Sequence, residues 1–477
     1  MEKRTEFDSL GELTLPGDAY YGIQTERARQ NFDVSPLSIG DFPQFINAIA
    51  SIKKAAALAN ESIGILESAK AAAICAAADE VLAGKHSNQF VINVFQGGGY
   101  TSANMNMNEV LANRANEILT GRKGYEEVHP NTHVNMGQST NDVIPAALKL
   151  AFYDYFEKLI KSASMLETAL ENKANDFSKI VKLGRTCLQD AVPLTLGQEF
   201  EGYRAMIVRR KSQLCELQKK CLVIPLGGTA VGSALGTGSG YIKAVYSRLS
   251  DIYGLEIRPD DSFFDGLQNA DIYTDISGSI KALAVAVSKI STDLRILSSG
   301  PRAGFGELVV PAVQPGSSIM PGKINPVLPE LMNQICYQIC GNDLAVTMSA
   351  EGGELDLNVW DSSIFKCIAE SFILLTNGIR LFCEKCVDGI QANADVCARY
   401  AGNSTALATV VSTIFGYAKG DEVAKKAAEQ GKTVKEICLE DSIFTPDEAE
   451  VLLDPMLMTN ADDFAARIAE YRKKLSQ

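Results

Sequence analysis

Apolar side chains recur through the middle of the chain at alternating steps of four and three. The cleanest run is Ile276, Ile280, Leu283, Val287, Ile290, Leu294 and Leu297. A repeat averaging about 3.5 residues keeps all of these on one narrow stripe of a helix and predicts near-parallel packing against neighbours. Four other stretches follow a similar rhythm. They are Leu148, Phe152, Tyr155, Leu159 and Leu166; Leu196, Phe200, Tyr203, Ile207, Leu214, Leu217 and Cys221; Leu328, Leu331, Ile335 and Ile339; and Ile364, Ile368, Phe372, Leu375, Ile379 and Phe382. A single seam fits a two-stranded coiled coil, whereas five in one chain predict a bundle. Some of this apolar surface is expected to meet other subunits.

The flanks read differently. Leu15 to Gly22 breaks into turns, and a polar helix begins near Thr25. Lys53 to Ala83, rich in alanine, predicts two helices separated near Gly64. Gln96 and Gly97 to Gly99 interrupt the chain before a helix that runs to about Leu119. After about Val396, Gly420, Gly431 and Pro446 punctuate short helices, with a last one from Ala461 to Lys474. The pattern predicts an all-α protein in three parts: 1–141, a central bundle over 142–396, and a small helical part over 397–477.

Composition narrows the function classes. A net charge of −13 argues against non-specific nucleic-acid binding, which needs basic surface against phosphate. No window of about 18 apolar residues predicts a membrane span, and Met1 to Glu12 holds no apolar run of a leader. Eleven cysteines, an odd number scattered along the chain, read as reduced thiols and predict a cytoplasmic location. Cys383 and Cys386 have C-x-x-C spacing, but no second pair completes a zinc set, and they fall in a helical pattern. No other cluster has metal-ligand spacing, so neither a metal nor an organic cofactor is expected. The only histidines are His86, His129 and His133, which limits every mechanism that needs an imidazole.

Five stretches carry polar groups that a helix core avoids. Four are Gly97 to Asn106, His129 to Asp142, Gly184-Arg185-Thr186-Cys187-Leu188-Gln189-Asp190, and Gly227 to Gly232. The fifth is Gly316-Ser317-Ser318-Ile319-Met320-Pro321-Gly322-Lys323-Ile324-Asn325-Pro326. Its glycines let backbone approach a ligand, successive N–H groups in such a turn form an anion-holding concavity, and Lys323 adds a full charge. Ser139-Thr140-Asn141-Asp142 also caps the helix that follows it, and a helix N-terminus presents free N–H groups to an anion.

The fifth stretch resembles the G-S-S-x-M-P-x-K-x-N-P loop of the fumarase/aspartase superfamily. The other four match that superfamily's polar regions in order and at similar spacing, from Leu10 to Val359. The resemblance implies a predominantly α-helical three-domain fold with a central five-helix bundle. It implies a homotetramer whose active sites each take residues from three subunits, and a lyase acting on a four-carbon dicarboxylate. Ser317 is implied as the base that removes a proton from C3. Thr101, Ser139, Thr140 and Ser318 are implied to grip the β-carboxylate; Lys323, Asn325 and Thr186 the α-carboxylate; and Asn141 to sit near the amino group. Cys187 occupies the position beside the departing group.

Within the superfamily, Ala191-Val192-Pro193, Ser298 to Gly304 and Glu351 to Val359 look more like the aspartase branch, which deaminates L-aspartate to fumarate. Fumarases carry histidine after the Gly-Arg-Thr triplet, and some aspartases carry glutamine; this chain has Cys187. The alternatives are a class II fumarase that dehydrates L-malate, and a non-catalytic member kept for structural work. His129 or His133 is the alternative base. The stretch His129 to Thr132 resembles a second anion-binding region of the fumarase branch, but Thr132 replaces its usual aspartate, and packing of the two histidines at a helix mouth is the competing reading.

Overall fold

The computed structural model describes residues 3–476. It opens on an antiparallel hairpin, β1 (Lys3–Asp8) and β2 (Gly11–Pro16), and continues through α1 (Ile23–Asn31), α2 (Pro43–Ser62), α3 (Ser68–Leu82) and α4 (Thr101–Thr120). A π-helical turn at Pro130–Val134 precedes α5 (Thr140–Asp176). A second hairpin, β3 (Val181–Thr186) and β4 (Gln189–Thr195), leads into α6 (Leu196–Lys220). Two short pairings follow: β5 (Val223–Ile224) with β6 (Arg258–Pro259), and β7 (Leu308–Val309) with β8 (Gln391–Ala392). Between them lie α7 (Tyr241–Tyr253), α8 (Phe263–Gln268), α9 (Asp271–Leu297), α10 (Val327–Glu351) and α11 (Asp361–Lys385). The chain ends in α12 (Ala394–Asn403), α13 (Ala408–Phe415), α14 (Tyr417–Gln430), α15 (Val434–Glu440), α16 (Pro446–Leu452) and α17 (Ala461–Leu475).

Two compact units emerge. One holds residues up to 161 with 210–284 and 335–376; the other holds 162–209, 285–334 and 377 onward. Each of α5, α6, α9, α10 and α11 contributes residues to both.

In the first unit the predicted seams meet. Phe152 of α5 packs on Tyr273 of α9 and on Phe365 and Phe372 of α11, with ring centroids 6.0–6.2 Å apart. Ser277 of α9 donates to Asp343 of α10 at 2.8 Å, and Asn342 of α10 donates to Ser371 of α11 at 3.1 Å. The Gln218 amide of α6 donates to the Tyr153 carbonyl at 3.2 Å. On the part of α10 that belongs to the second unit, Leu331 departs from the expected seam: it is exposed, whereas its neighbour Met332 is buried.

The start of α1 shows how this unit uses buried carboxylates. No side chain on α1 caps it; Glu109 of α4, fully enclosed, accepts the N–H groups of Gly22, Gln24 and Thr25 at 2.8–3.1 Å and the Thr25 hydroxyl at 2.7 Å. A Cβ on Gly22 would collide with the Tyr125 hydroxyl, so glycine is required there.

The second unit contains its own seam contacts. Tyr203 of α6 donates to Asp293 of α9 at 2.9 Å, and Asn333 of α10 donates to Ser288 of α9 at 2.8 Å. The helices after Leu407 close over Val410, Val411, Val423, Val434, Ile437, Leu452 and Tyr471. Capping boxes at Thr433/Glu436 and Thr445/Glu448 start α15 and α16, which are too short to form without such ends. Cys383 and Cys386 are buried, and burial pushes both thiols up to about 12, so they pack as small apolar residues.

Asp361, at the first turn of α11, is buried, and desolvation pushes its carboxyl up to about 7. The unfolded chain releases that proton near pH 4, about its unperturbed value. Stability from this group is therefore fully present below pH 4 and is lost as pH rises toward 7. Asp361→Asn removes the ionisation. Its melting temperature relative to the parent should rise between pH 4 and 7 and level off above; a difference independent of pH refutes this account.

Candidate active site

The implied site residues divide between the units. Thr101, Ser139, Thr140 and Asn141 belong to the first; Thr186, Cys187, Ser317, Ser318, Lys323 and Asn325 belong to the second.

In the first unit, two helix N-termini carry the polar groups. Gly98, Gly99 and Tyr100 all have positive φ, and this coil sets Thr101 as the opening residue of α4 with its hydroxyl donating to the Gly98 carbonyl at 2.8 Å. Tyr100 tolerates the left-handed backbone because its ring is buried and its hydroxyl donates to the Val94 carbonyl at 2.9 Å. Ser139 precedes α5, and its Oγ accepts the Asn141 N–H at 3.2 Å. The Thr140 hydroxyl accepts from the Asn104 amide at 3.2 Å, tying the start of α5 to α4. The Asn141 amide donates to the Ala230 carbonyl at 2.8 Å. Pro145, inside α5, has no N–H to give the Asn141 carbonyl.

Asp142 joins these parts. Fully buried, it accepts the Ser139 N–H at 2.9 Å and the Gly227 and Thr229 N–H groups at 2.9 and 3.0 Å. Burial raises its pKa; the three N–H groups and the charge of Lys53 pull the other way. The Gly227–Gly232 stretch is thereby fastened to the start of α5. Sequence reasoning quoted Asp142 only as part of a cap, and its tertiary role has no local signature.

In the second unit, β3 and β4 turn through Cys187 and Leu188, both left-handed at φ 54° and 59°. Two consecutive left-handed residues are the geometry of a type I′ turn, which Asn-Gly usually supplies. Thr186, Cys187 and Leu188 are exposed at this tip. Below it, Arg185 donates to both oxygens of the buried Glu307 at 2.9–3.0 Å and lies over the Phe305 ring.

The Gly316–Pro326 stretch is a loop closed at its base. The Gly316 N–H donates to the Lys323 carbonyl at 2.8 Å, and the Asn325 amide donates to the Gly316 carbonyl at 2.8 Å. Within it, the Ser317 Oγ accepts the N–H groups of Ile319 at 3.2 Å and Met320 at 2.9 Å. Gly322, at φ 77°, permits the return. Ser318 and Lys323 are exposed, as is Ile319 at 84%. Among the described residues, none pairs with the Lys323 ammonium. Ser317, Lys323 and Asn325 thus share one loop, with a cation unspent and a hydroxyl oxygen already facing two donors.

The histidines have local duties. His129 Nδ1 accepts the N–H groups of Asn131 and Thr132 at 3.2 and 3.3 Å, capping the π-helical turn, and the His129 N–H donates to His133 Nδ1 at 2.9 Å. Burial, Lys70 and His129 hold the His133 pKa below the usual value. Among the described residues no group of three or more His, Cys, Asp or Glu side chains is placed to hold a metal ion.

The sequence pattern of a family described as Lyase matches residues 11–341, and that of the Fumarase C C-terminus matches 407–460. The aspartate ammonia-lyase of Bacillus subtilis (strain 168) is 43% identical over 96% of this chain and 96% of its own. That of Escherichia coli (strain K12) is 44% identical over 94% of each. The crystal structure of a fumarate lyase:delta crystallin from Brucella melitensis bound to cobalt superimposes with a TM-score of 0.94 at 45% identity, covering 96% of this chain and 100% of that one. The recombinant class II fumarase from Schistosoma mansoni gives 0.92 at 33% identity, covering 96% and 99%.

A Cβ on Gly316 would collide with the Lys323 carbonyl and come within 2.8 Å of the Asn325 N and 2.9 Å of the Ile324 Cα, all of them backbone. Gly316→Ala should therefore open the loop's base. Amide exchange over residues 316–325 should speed up by about tenfold or more while the melting temperature stays near the parent's, because the loop is exposed. Unchanged exchange refutes the closed base.

Proposed function

The chain belongs to the fumarase/aspartase family of lyases, and from that premise we propose that it catalyses the reversible deamination of L-aspartate to fumarate and ammonia. It is a carbon–nitrogen lyase. The observation that carries the reaction is near-full-length similarity, at 41–44% identity, to several aspartate ammonia-lyases. The fumarase likeness is weaker at 33%, and Cys187 follows a Gly-Arg-Thr triplet after which, by the resemblance, a fumarase would carry histidine.

Ser317 is the proposed base. A hydroxyl removes a carbon-bound proton only as alkoxide, and each unit by which its pKa falls needs about 1.4 kcal/mol of preferential stabilisation of that anion. Support comes from the two N–H groups already aimed at Oγ, which strengthen toward an alkoxide, and from Lys323 in the same loop. The exposed Ile319 and Met320 gain by burial, which favours closing the loop over substrate and drying the site.

Proton loss from C3 converts the β-carboxylate to an aci-carboxylate carrying an extra negative charge. Thr101, Ser139, Thr140 and Ser318, with the free N–H groups of α5, are the proposed donors to that charge. Their interaction strengthens as charge develops, so they stabilise the transition state more than the ground state. Lys323, Asn325 and Thr186 take the α-carboxylate. Asn141 lies by the amino group, with Cys187 at the departing side; ammonia then leaves C2 and fumarate forms. Residues 1–141, 142–396 and 397–477 are the proposed domain division, with the first two supplying these groups.

A homotetramer with each site shared by three subunits is part of the proposal. Tyr337, Leu344 and Met348 are each more than 60% exposed on α10, a stripe that a single chain leaves in water. Cytoplasmic location is proposed from eleven free thiols, which an oxidising compartment would pair.

The purified enzyme should form fumarate from L-aspartate, read as ultraviolet absorbance, far faster than from L-malate. Preference for malate sinks the deamination reading in favour of hydration. Ser317→Ala should lower kcat by about a hundredfold or more with an unchanged melting temperature. Near-parent turnover in that variant removes serine as the base.

A further inference from the structure

We propose that Lys53 is a positioning residue for the dicarboxylate site at Ser139–Asn141, an inference that rests on the reaction assigned above. Lys53 lies on α2 with 0% exposure, among Ile49, Ile52, Ala56 and Ala57, all equally enclosed or nearly so. Its neighbour Lys54 is an ordinary surface lysine paired with Asp79. A core position of this kind normally takes leucine or methionine, because burying an ammonium is strongly unfavourable unless its donors are met.

The donors of Lys53 are met by amides and by no carboxylate. Its Nζ donates to Asn135 Oδ1 at 3.0 Å and to Gln138 Oε1 at 2.9 Å. These two residues bracket the turn that delivers the chain to Ser139. Asn135 Oδ1 also accepts from Asn104 and Asn108 of α4, both at 3.1 Å, so three donors converge on one oxygen. Asn135 donates back to the Gln138 carbonyl at 3.1 Å, and Gln138 donates to the carbonyls of Val134 and Met136 at 3.1 and 3.2 Å. The same Asn104 amide reaches the Thr140 hydroxyl at 3.2 Å. The path from Lys53 to Thr140 therefore crosses only Asn135 and Asn104.

The hub gathers α2, α4 and the turn before α5 beside the start of α5. Its charge has the same sign as the positive end of α5, so it reinforces the attraction of that end for an anion. Burial pushes the Lys53 pKa down to about 7, opposed by the charge of Asp142, so the ammonium carries a large desolvation penalty and its charge is present in full only below neutral pH. A residue kept only for packing would avoid that penalty. One that holds three segments in register and adds positive potential behind an anion site accepts it.

The test is Lys53→Met, which keeps the volume and removes both hydrogen bonds and the charge. Assembly and thermal melting are checked first. The dissociation constant of succinate, a four-carbon dicarboxylate with no leaving group, is then measured together with kcat and KM for L-aspartate. Both constants should rise by about tenfold or more while kcat falls by less than about threefold, the pattern of lost ground-state and transition-state binding alike. A folded variant with parental succinate binding and KM overturns the proposal, as does a loss confined to kcat. If Lys53→Met does not fold, Asn104→Ala leaves Lys53 and both its acceptors in place and removes the amide that joins Asn135 Oδ1 to the Thr140 hydroxyl. KM and the succinate constant should then rise several-fold, and unchanged values overturn the proposal. A parent enzyme that leaves L-aspartate untouched refutes the reaction itself; an active parent with a Lys53→Met variant of unchanged KM refutes only the role of Lys53.

Discussion

A carboxylate buried at residue 142 holds the polar face of the first unit together. It accepts N–H groups from Ser139, on its own helix, and from Gly227 and Thr229, some 85 residues further along the chain. Without it, the first turn of α5 and the glycine-rich stretch would each need water for those donors, and of the hydrogen bonds described above only that from the Asn141 amide to the Ala230 carbonyl would still join them. Glu109 does the same at the start of α1. In the second unit Glu307 anchors the β3–β4 hairpin through Arg185. Desolvation is the leading influence on Asp142 and Glu109 and raises the pKa of each, so these anions are poor contributions to stability. What they provide is a fixed meeting point for segments far apart in sequence.

The long helices were legible because a repeat of 3.5 residues is a local property. Ile276 to Leu297 specifies its own buried stripe whatever the rest of the chain does. The hairpins were not legible. Lys3 to Asp8 alternates in exposure, but its side chains are mostly charged, so no apolar period marks a strand. The second hairpin turns on Cys187 and Leu188, a pair that carries none of the Asn-Gly signal of its turn type. The π-helical turn at Pro130–Val134 depends on the His129 ring as its cap, a job no propensity scale gives to histidine.

The polar loops of the proposed site stand out as strings, and their supports do not. Lys53 and Lys54 are the same residue side by side. A rotation of about 100° between successive helical positions sends one into the amides of Asn135 and Gln138 and the other to Asp79 at the surface. Only the apolar neighbours of Lys53 at Ile49, Ala56 and Ala57 distinguish the two, and alanines are too neutral for that signal to be read. Buried polar hubs escape sequence reading for this general reason: their partners are set by tertiary structure, and each member taken alone looks like surface.

The hairpin tip shows where fold and chemistry separate. Its backbone is dictated from below, by the β3–β4 ladder and by Arg185 locked to Glu307 under Phe305. Residue 187 must adopt a left-handed φ whatever its side chain, at a penalty of roughly 1–2 kcal/mol for any residue but glycine. Cysteine and glutamine bear that penalty at similar size, so the fold exerts little preference between them. The side chain at 187 projects from an exposed turn and packs against no core. Its identity is therefore little constrained by the fold, while its position is fixed. A thiol offers a weak donor with no basic imidazole. In the role proposed for it beside the departing group, that suits an amino group, which is already protonated and leaves as ammonia, better than a hydroxyl, which needs a proton delivered to leave as water.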